Sequence, residues 1–270
     1  MVALVLLTFT LEAEELRFHH VHLNAVDPQA ATDFYSTKLG SEPRLHFTKV
    51  ATPPKSVITS AIWHIGWGGG PDMRQAYQKQ LDSGTRFHTP LTDISDQCDG
   101  KGGNGRFLFA YIDGPDHALI ELNTTAAGNT AFGHVHLLSE DPIAAGDWYV
   151  RELGLKRRSP GPPSREPRYR CGRQTAPSVS LMMNDVNLII YPVGNAKAAF
   201  PGDWEGRKEL ESSQGHAIDH LAFLTTNLDE TLMRLRQNGV KVNAMADGKG
   251  RAAFIEGPDR IRIELLEAVY

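Results

Sequence analysis

The stretch Phe132–Gly154, FGHVHLLSEDPIAAGDWYVRELG, decides the fold, because the chain has already written it once, at Phe18–Gly40, as FHHVHLNAVDPQAATDFYSTKLG. Each copy opens with the alternation of a strand, which places His20, His22 and Asn24, or His134 and His136, on one face. Asp27-Pro28 and Asp141-Pro142 then read as an N-cap and first helical residue. The aromatic pairs Phe34-Tyr35 and Trp148-Tyr149 ride on the helix, which stops at Gly40 or Gly154. Repetition of this kind reports architecture before it reports function.

Two looser copies lie between and after these. One runs from the strand Ala61–Trp67, carrying His64, through a helix over Pro71–Ser83 to Gly84, and closes on the hairpin Arg106–Asp113 and Ala118–Asn123. The other runs from the strand Ile218–Leu224, carrying His220, through the cap Asn227 and helix Leu228–Asn238 to Gly239. It continues as strands over Val240–Ala244, Arg251–Ile255 and Arg260–Glu267. Both close on one phrase, Gly114-Pro115-Asp116 before Ile120-Glu121-Leu122 and Gly257-Pro258-Asp259 before Ile263-Glu264-Leu265, a turn with a strand behind it. The unit is strand, helix, three strands.

The first unit is truncated: only Ser41–Ser60 follows its helix, part of it Pro53-Pro54, which leaves room for one or two further strands. The third carries a Pro/Arg-rich loop, Arg157–Pro177, before the hairpin Ser178–Pro192. The expected fold class is α+β, four tandem βαβββ modules paired into two domains. The division is a lead-in over 1–17, modules one and two over 18–125, a linker over 126–130, and modules three and four over 131–270.

Composition excludes several roles. A net charge of -4 over 270 residues gives no basic footprint for nucleic acid, so a small-molecule partner is the default. Cys98 and Cys171 fall in different halves and build neither a disulfide framework nor a CxxC zinc site. The apolar run Val2–Leu11 is too short to span a bilayer, and no Lys or Arg precedes it. A cytoplasmic location is favoured over export, which would require cleavage near Ala13.

Strand-helix-three-strand modules that open on histidine and close on glutamate resemble the vicinal oxygen chelate superfamily, over roughly residues 18–267. That family includes glyoxalase I, bleomycin-binding proteins, fosfomycin-resistance enzymes and extradiol ring-cleaving dioxygenases. The resemblance implies a metal held by the first strand of each module and the last strand of one or both. Carried over by position, it offers His20, His64 and Glu121 from the first pair of modules, and His134, His220 and Glu264 from the second. The fourth-ligand place in module three falls on Ile190, and module one is too short to align.

Two imidazoles and a carboxylate leave open positions on a divalent metal, iron(II) by preference, with manganese, zinc or nickel as alternatives. This implies an enzyme acting on a small oxygenated molecule, a ring-cleaving dioxygenase first. The alternatives are an isomerase or lyase working by metal-assisted proton transfer, and a metal-free binding protein. The extradiol signature is met only in part, with Tyr111 as its phenol and Gly114 and Gly257 where an acid belongs. His22 and His136, two residues past proposed ligands, read as acid-base groups or as satisfied strand histidines. His19, His46, His88 and His216 have no partner in the motif and read as surface or loop residues. The arginine-rich loop reads as solvated, or as a collector of anions. Gly68-Gly69-Gly70 reads as a flexible turn.

Overall fold

Four short polar side chains turn strand into helix at the same place in each module. Asp27 accepts from the backbone N–H groups of Gln29 and Ala30, Asp72 from Arg74 and Gln75, Asp141 from Ile143 and Ala144, and Asn227 from Glu230. Each satisfies donors that the first helical turn leaves open, a contribution of about 1 kcal/mol per cap. Three of these caps follow the sequence reading. Asp72 moves the second helix start from Pro71 to Met73.

The computed structural model describes residues 16–94, 107–170, 173–245 and 251–268; Cys98, Cys171 and nearly all of the lead-in lie outside them. Module one holds β1 (Arg17–Ala25), α1 (Pro28–Leu39) and β2 (Leu45–Lys49). Module two holds β3 (Ile62–Gly68), α2 (Met73–Asp82), β4 (Phe87–Asp93), β5 (Leu108–Asp113) and β6 (Leu119–Asn123). Module three holds β7 (Phe132–Ser139), α3 (Pro142–Leu153), β8 (Lys156–Arg157), β9 (Arg168–Arg170), β10 (Arg173–Ala176), β11 (Val179–Met183) and β12 (Val186–Pro192), with α4 (Gly194–Ala199) after it. Module four holds β13 (Ile218–Thr225), α5 (Leu228–Gln237), β14 (Val242–Met245), β15 (Ala252–Glu256) and β16 (Arg262–Glu267). Among the described residues no helix is long and apolar enough to cross a membrane.

The sheets cross the expected grouping. One sheet runs β14-β15-β16-β13-β1-β2 and the other β4-β5-β6-β3-β7-β12-β11-β8, so module one shares a sheet with module four, and module two with module three. The reason lies in the strand edges. Within each module the first strand pairs parallel to the last, as β3 with β6 and β13 with β16, which leaves one edge of the first strand open. The short connection after β6 returns β7 antiparallel onto the open edge of β3, and β1 and β13 meet in the same way.

Consecutive modules meet at their turns. Asp116 Oδ2 accepts from the Val26 N–H at 3.2 Å, and Asp259 Oδ1 from the Glu140 N–H at 3.0 Å. Both aspartates hold the left-handed conformation, φ 52° and 55°, inside short 3-10 turns over Pro115–His117 and Pro258–Arg260. Module one is shortened as expected: β2 lies parallel to β1 where the other modules place their last strand, and the two strands between are absent.

Strand alternation fixes which side of each sheet does chemistry. Val21, Ile65, Val135 and Leu221 each follow a module-opening histidine, and each is fully buried in the core. Burial of such a side chain contributes roughly 1.5–3 kcal/mol. The histidine before it is thereby turned onto the opposite face.

Candidate metal centre

In the sheet shared by modules two and three, β3 supplies His64, β6 supplies Glu121 and β7 supplies His134 and His136. One ligand atom from each of the four lies within 4.8 Å of the others, and all four residues are buried. His64 Nε2 stands 2.8 Å from Glu121 Oε2, without the alignment of a hydrogen bond, and His134 Nε2 stands 3.9 Å from the same oxygen. Both ring nitrogens of His64, Nε2 of His134 and Nδ1 of His136 are buried without a hydrogen-bond partner. Leaving several such atoms unpaired costs about 1–3 kcal/mol each. An ion among them would satisfy several at once.

The local sequence makes room for this. Gly66 faces His134 across the β3–β7 pairing, and a β-carbon there would fall 2.0 Å from the imidazole. His64 faces His136 in the same pairing, their rings stacked at 4.4 Å. Burial, then the neighbouring imidazoles, pushes the His136 pKa well below its ordinary value; burial likewise brings His134 down to about 4. Burial alone would raise the Glu121 carboxyl, but the His64 contact and the His134 charge outweigh it and hold it below the usual range. At neutral pH His134 and His136 therefore present lone-pair nitrogens beside a carboxylate, the donor chemistry of a divalent transition metal. The residues fit such an ion.

The group opens onto a cavity of about 120 Å³ whose wall includes Trp63, Phe109, Tyr111, Tyr191, Ile189 and Asn195. Tyr111 faces Glu121 across β5–β6, its ring 5.0 Å from that of His64. Trp63 Nε1 and Asn195 Oδ1 are buried there without partners. The basic loop is less loose than expected, because β9 and β10 form a two-stranded hairpin and Thr175 of β10 reaches the cavity wall.

The sheet of modules one and four repeats the plan with different outcomes. His220 Nε2 lies 3.4 Å and His20 Nε2 3.7 Å from Glu264 Oε2. His22 stacks on His220 at 4.3 Å, and Ala222 faces His20 as Gly66 faces His134. His220 Nδ1 lies 2.7 Å from Asp219 Oδ1, which also accepts from Arg262. Burial would lower the His220 pKa, but Asp219 and Glu264 outweigh it and raise it. Burial, then the surrounding imidazoles, takes His20 down to about 2; His22 falls to about 4, by burial first and then His220. Phe254 faces Glu264 where Tyr111 faces Glu121, so no phenol stands at that position.

All six expected ligands thus sit in two clusters, but His20 and His134 have changed places. His64, Glu121 and His134 form one group and His20, His220 and Glu264 the other, because the sheets pair modules two with three and one with four. Tyr111 and His136 accompany the first group and His22 the second. The fourth-ligand position of module three also shifts by one residue. Gly66 aligns with Glu121 and Ala222 with Glu264; in module three His136 aligns with Ile189, while Ile190 points into the core. A one-residue slip in a strand reverses its face. The equivalent in module one is His46, which aligns with His22 across β1–β2. His46, expected as a surface or loop residue, is exposed but stands on β2, and only the parallel placement of that strand reveals its position. His216 is another correction, fully buried with Nε2 3.2 Å from Glu211.

The family model of the Glyoxalase/Bleomycin resistance protein/Dioxygenase superfamily matches residues 131–265, half of the chain. The chain belongs to that superfamily. Its fold is similar to glyoxalase I from Zea mays, with a TM-score of 0.65 and 15% identity over 93% of this chain and 92% of that one. It is also similar to a putative dioxygenase from Bacillus subtilis subsp. subtilis str. 168, with a TM-score of 0.57 and 14% identity over 94% and 86%. At such identities the likeness is one of fold, which this superfamily member shares across nearly its whole length. No curated protein matches the sequence.

Proposed function

We propose that this superfamily member is a metal-dependent enzyme that acts on a small oxygenated ring compound at His64, Glu121 and His134, in the manner of a ring-cleaving dioxygenase. One observation carries the reading: the place of a fourth ligand is taken by Ile189, so the open side of a three-ligand set faces an aromatic-walled cavity. A cavity of about 150 Å³ accepts benzene, so about 120 Å³ suits one small ring with modest adjustment. A bound divalent ion, iron(II) by preference, would supply a Lewis acid for two neighbouring substrate oxygens and a place for dioxygen.

The chain's own residues do the rest. Aromatic walls hold the ring in plane and exclude water. His136, held neutral by burial, presents an unpartnered Nδ1 at the cavity wall that accepts a hydrogen bond from a substrate hydroxyl. Tyr111, beside Glu121, offers its phenol to the same substrate edge. His22 stands in the other sheet, and no part of this chemistry is assigned to it.

The cluster of imidazoles around Glu121 also favours a second reading, an isomerase or lyase in which a bound metal would acidify a substrate C–H. Oxygen uptake separates the two. Iron(II)-loaded protein is offered a panel of catechols in an oxygen electrode, with ring-fission absorbance followed in parallel. Uptake with one oxygen per substrate, lost in His64→Ala and Glu121→Ala, is the expected result. Turnover without oxygen, supported by zinc, nickel or cobalt, would replace it with the second reading, and absence of stoichiometric metal would end both.

A further inference from the structure

The helix α4 has no counterpart in the unit of strand, helix and three strands, yet it supplies part of the wall of the aromatic cavity. It carries Asn195, which is 3% exposed and lines the same cavity of about 120 Å³ as Trp63, Tyr111 and His136. The helix is fixed in place. The Val193 N–H donates to the Ser139 carbonyl at 2.9 Å, and a β-carbon at Gly194 would fall 2.6 Å from Gln174 Oε1 of β10. Beyond its last turn the Phe200 ring lies 6.2 Å from that of Trp63.

Trp63 reaches the cavity by a second departure from the repeat. At its position the other modules have His19, Gly133 and Asp219, and plain strand alternation would turn it to the core side with Ile65. A register break between Ile62 and His64 in the β3–β7 pairing is a bulge at Trp63, a device that re-aims a side chain. Its ring accordingly stands 4.5 Å from that of His64 and 6.1 Å from that of His136. Asn195 Oδ1 and Trp63 Nε1 are both buried without a hydrogen-bond partner. An acceptor and a donor left so at one cavity are a cost to the fold that apolar side chains of the same size would not bring.

We propose that Asn195 and Trp63 form a specificity subsite that reads one neutral hydroxyl on the bound ring, the Trp63 Nε1–H donating to its oxygen and Asn195 Oδ1 accepting from its O–H. A hydroxyl is the smallest group that both accepts and donates. A volume of about 120 Å³ holds one small ring and little besides, which rules against a longer polar arm. Among the described residues of the wall there is no lysine or arginine, so a carboxylate substituent would be buried there without a cation from the chain. The inference rests on this cavity being the proposed substrate site, and not on the reaction performed in it.

The test compares phenol with toluene, which differ by a hydroxyl for a methyl on one ring. Both are titrated calorimetrically into the full chain, zinc-loaded and chelator-stripped. Wild type should bind phenol at least roughly tenfold tighter than toluene in both forms, because the toluene methyl seals two polar atoms from water unpaired. Asn195→Leu should bring the ratio below about threefold by weakening phenol while toluene binds as well or better, and Trp63→Phe should lower it in the same sense. Circular dichroism and thermal melting establish that both variants are folded. A wild type that binds the two rings alike, or binds neither, would overturn the proposal; so would a ratio unchanged in either variant, which would assign the hydroxyl to another group. The ratio is read without turnover. A ratio that falls in the variants, with no oxygen uptake from catechols, would remove the proposed reaction and keep the subsite; uptake with an unchanged ratio would do the reverse.

Discussion

Gly66 stands opposite His134 across β3 and β7, and the space where its side chain would be is the space that the imidazole fills. Gly66→Ala should therefore act on the metal before it acts on the fold. Overpacking of this kind costs roughly 1–3 kcal/mol where neighbours can shift, and here the neighbour with freedom is the His134 ring itself. The expected outcome is a melting point lowered by a few degrees and a metal affinity lowered by more than tenfold. Ala222, opposite His20, already tolerates a β-carbon, so Gly66→Ala measures how much closer the buried group is packed. Normal metal affinity in a folded Gly66→Ala protein would contradict the assigned role of His134.

Much of this was legible in the residues, and the illegible part has a physical cause. Asp27-Pro28 and Asp141-Pro142 announced their helices because capping is local chemistry, and Glu121 and Glu264 announced their strands by sharing a phrase. Strand pairing is not local. Nothing in the run around His134 says whether its neighbour is β3 or β13, and that choice decides whether His134 meets Glu121 or Glu264. His46 was hidden for the same reason: its place beside His20 depends on β2 lying parallel to β1, in a module too short to align with the rest.

The metal-free protein should lose stability as pH falls from neutrality. His134 has an ordinary value of 6.5 and is brought down to about 4 in the fold, so between those values the unfolded chain binds a proton that the folded chain refuses. Its contribution is full above pH 6.5 and is lost as pH falls toward 4. The difference is on the order of 3 kcal/mol. His136 and Glu121, also lowered, act in the same sense. Urea denaturation at pH 7.5, 5.5 and 4.5 should show the loss, and His134→Gln should flatten it between pH 6.5 and 4.5. An equally steep profile in the variant would place the effect elsewhere.

The turn aspartates predict a contrast between two substitutions at one position. Asp259 holds a left-handed backbone and accepts from the Glu140 N–H, so it joins module four to module three. Asp259→Ala removes the acceptor and leaves a β-carbon in a strained conformation, at a cost of about 1–3 kcal/mol. Asp259→Asn keeps an oxygen acceptor and a residue type that tolerates left-handed φ, and should cost less than 1 kcal/mol. The same ordering is expected at Asp116, which holds Val26. Chemical denaturation gives both differences, and equal losses for Ala and Asn would show that the carboxylate charge is what matters.

Ile189 offers the sharpest test of the proposed chemistry, because it occupies the position of a fourth ligand without being one. Ile189→Glu would place a second carboxylate opposite Glu121, within reach of the same ion. Without metal the new group is costly, since it buries a charge beside Glu121 with no cation to pair it, and the apoprotein should melt earlier than wild type. With metal the sign reverses: the ion gains a ligand, binding tightens, and the melting point rises above that of metal-loaded wild type. An open position is spent in doing so. If substrate oxygens and dioxygen must share the free side, oxygen uptake should fall by at least a hundredfold while metal content stays complete. Ile189→Gln, equal in size but uncharged, should bind metal nearly as wild type does and keep most of its activity. A fully active, metal-replete Ile189→Glu protein would show that the reaction does not need the position Ile189 leaves open, and would favour metal-assisted proton transfer over oxygen chemistry.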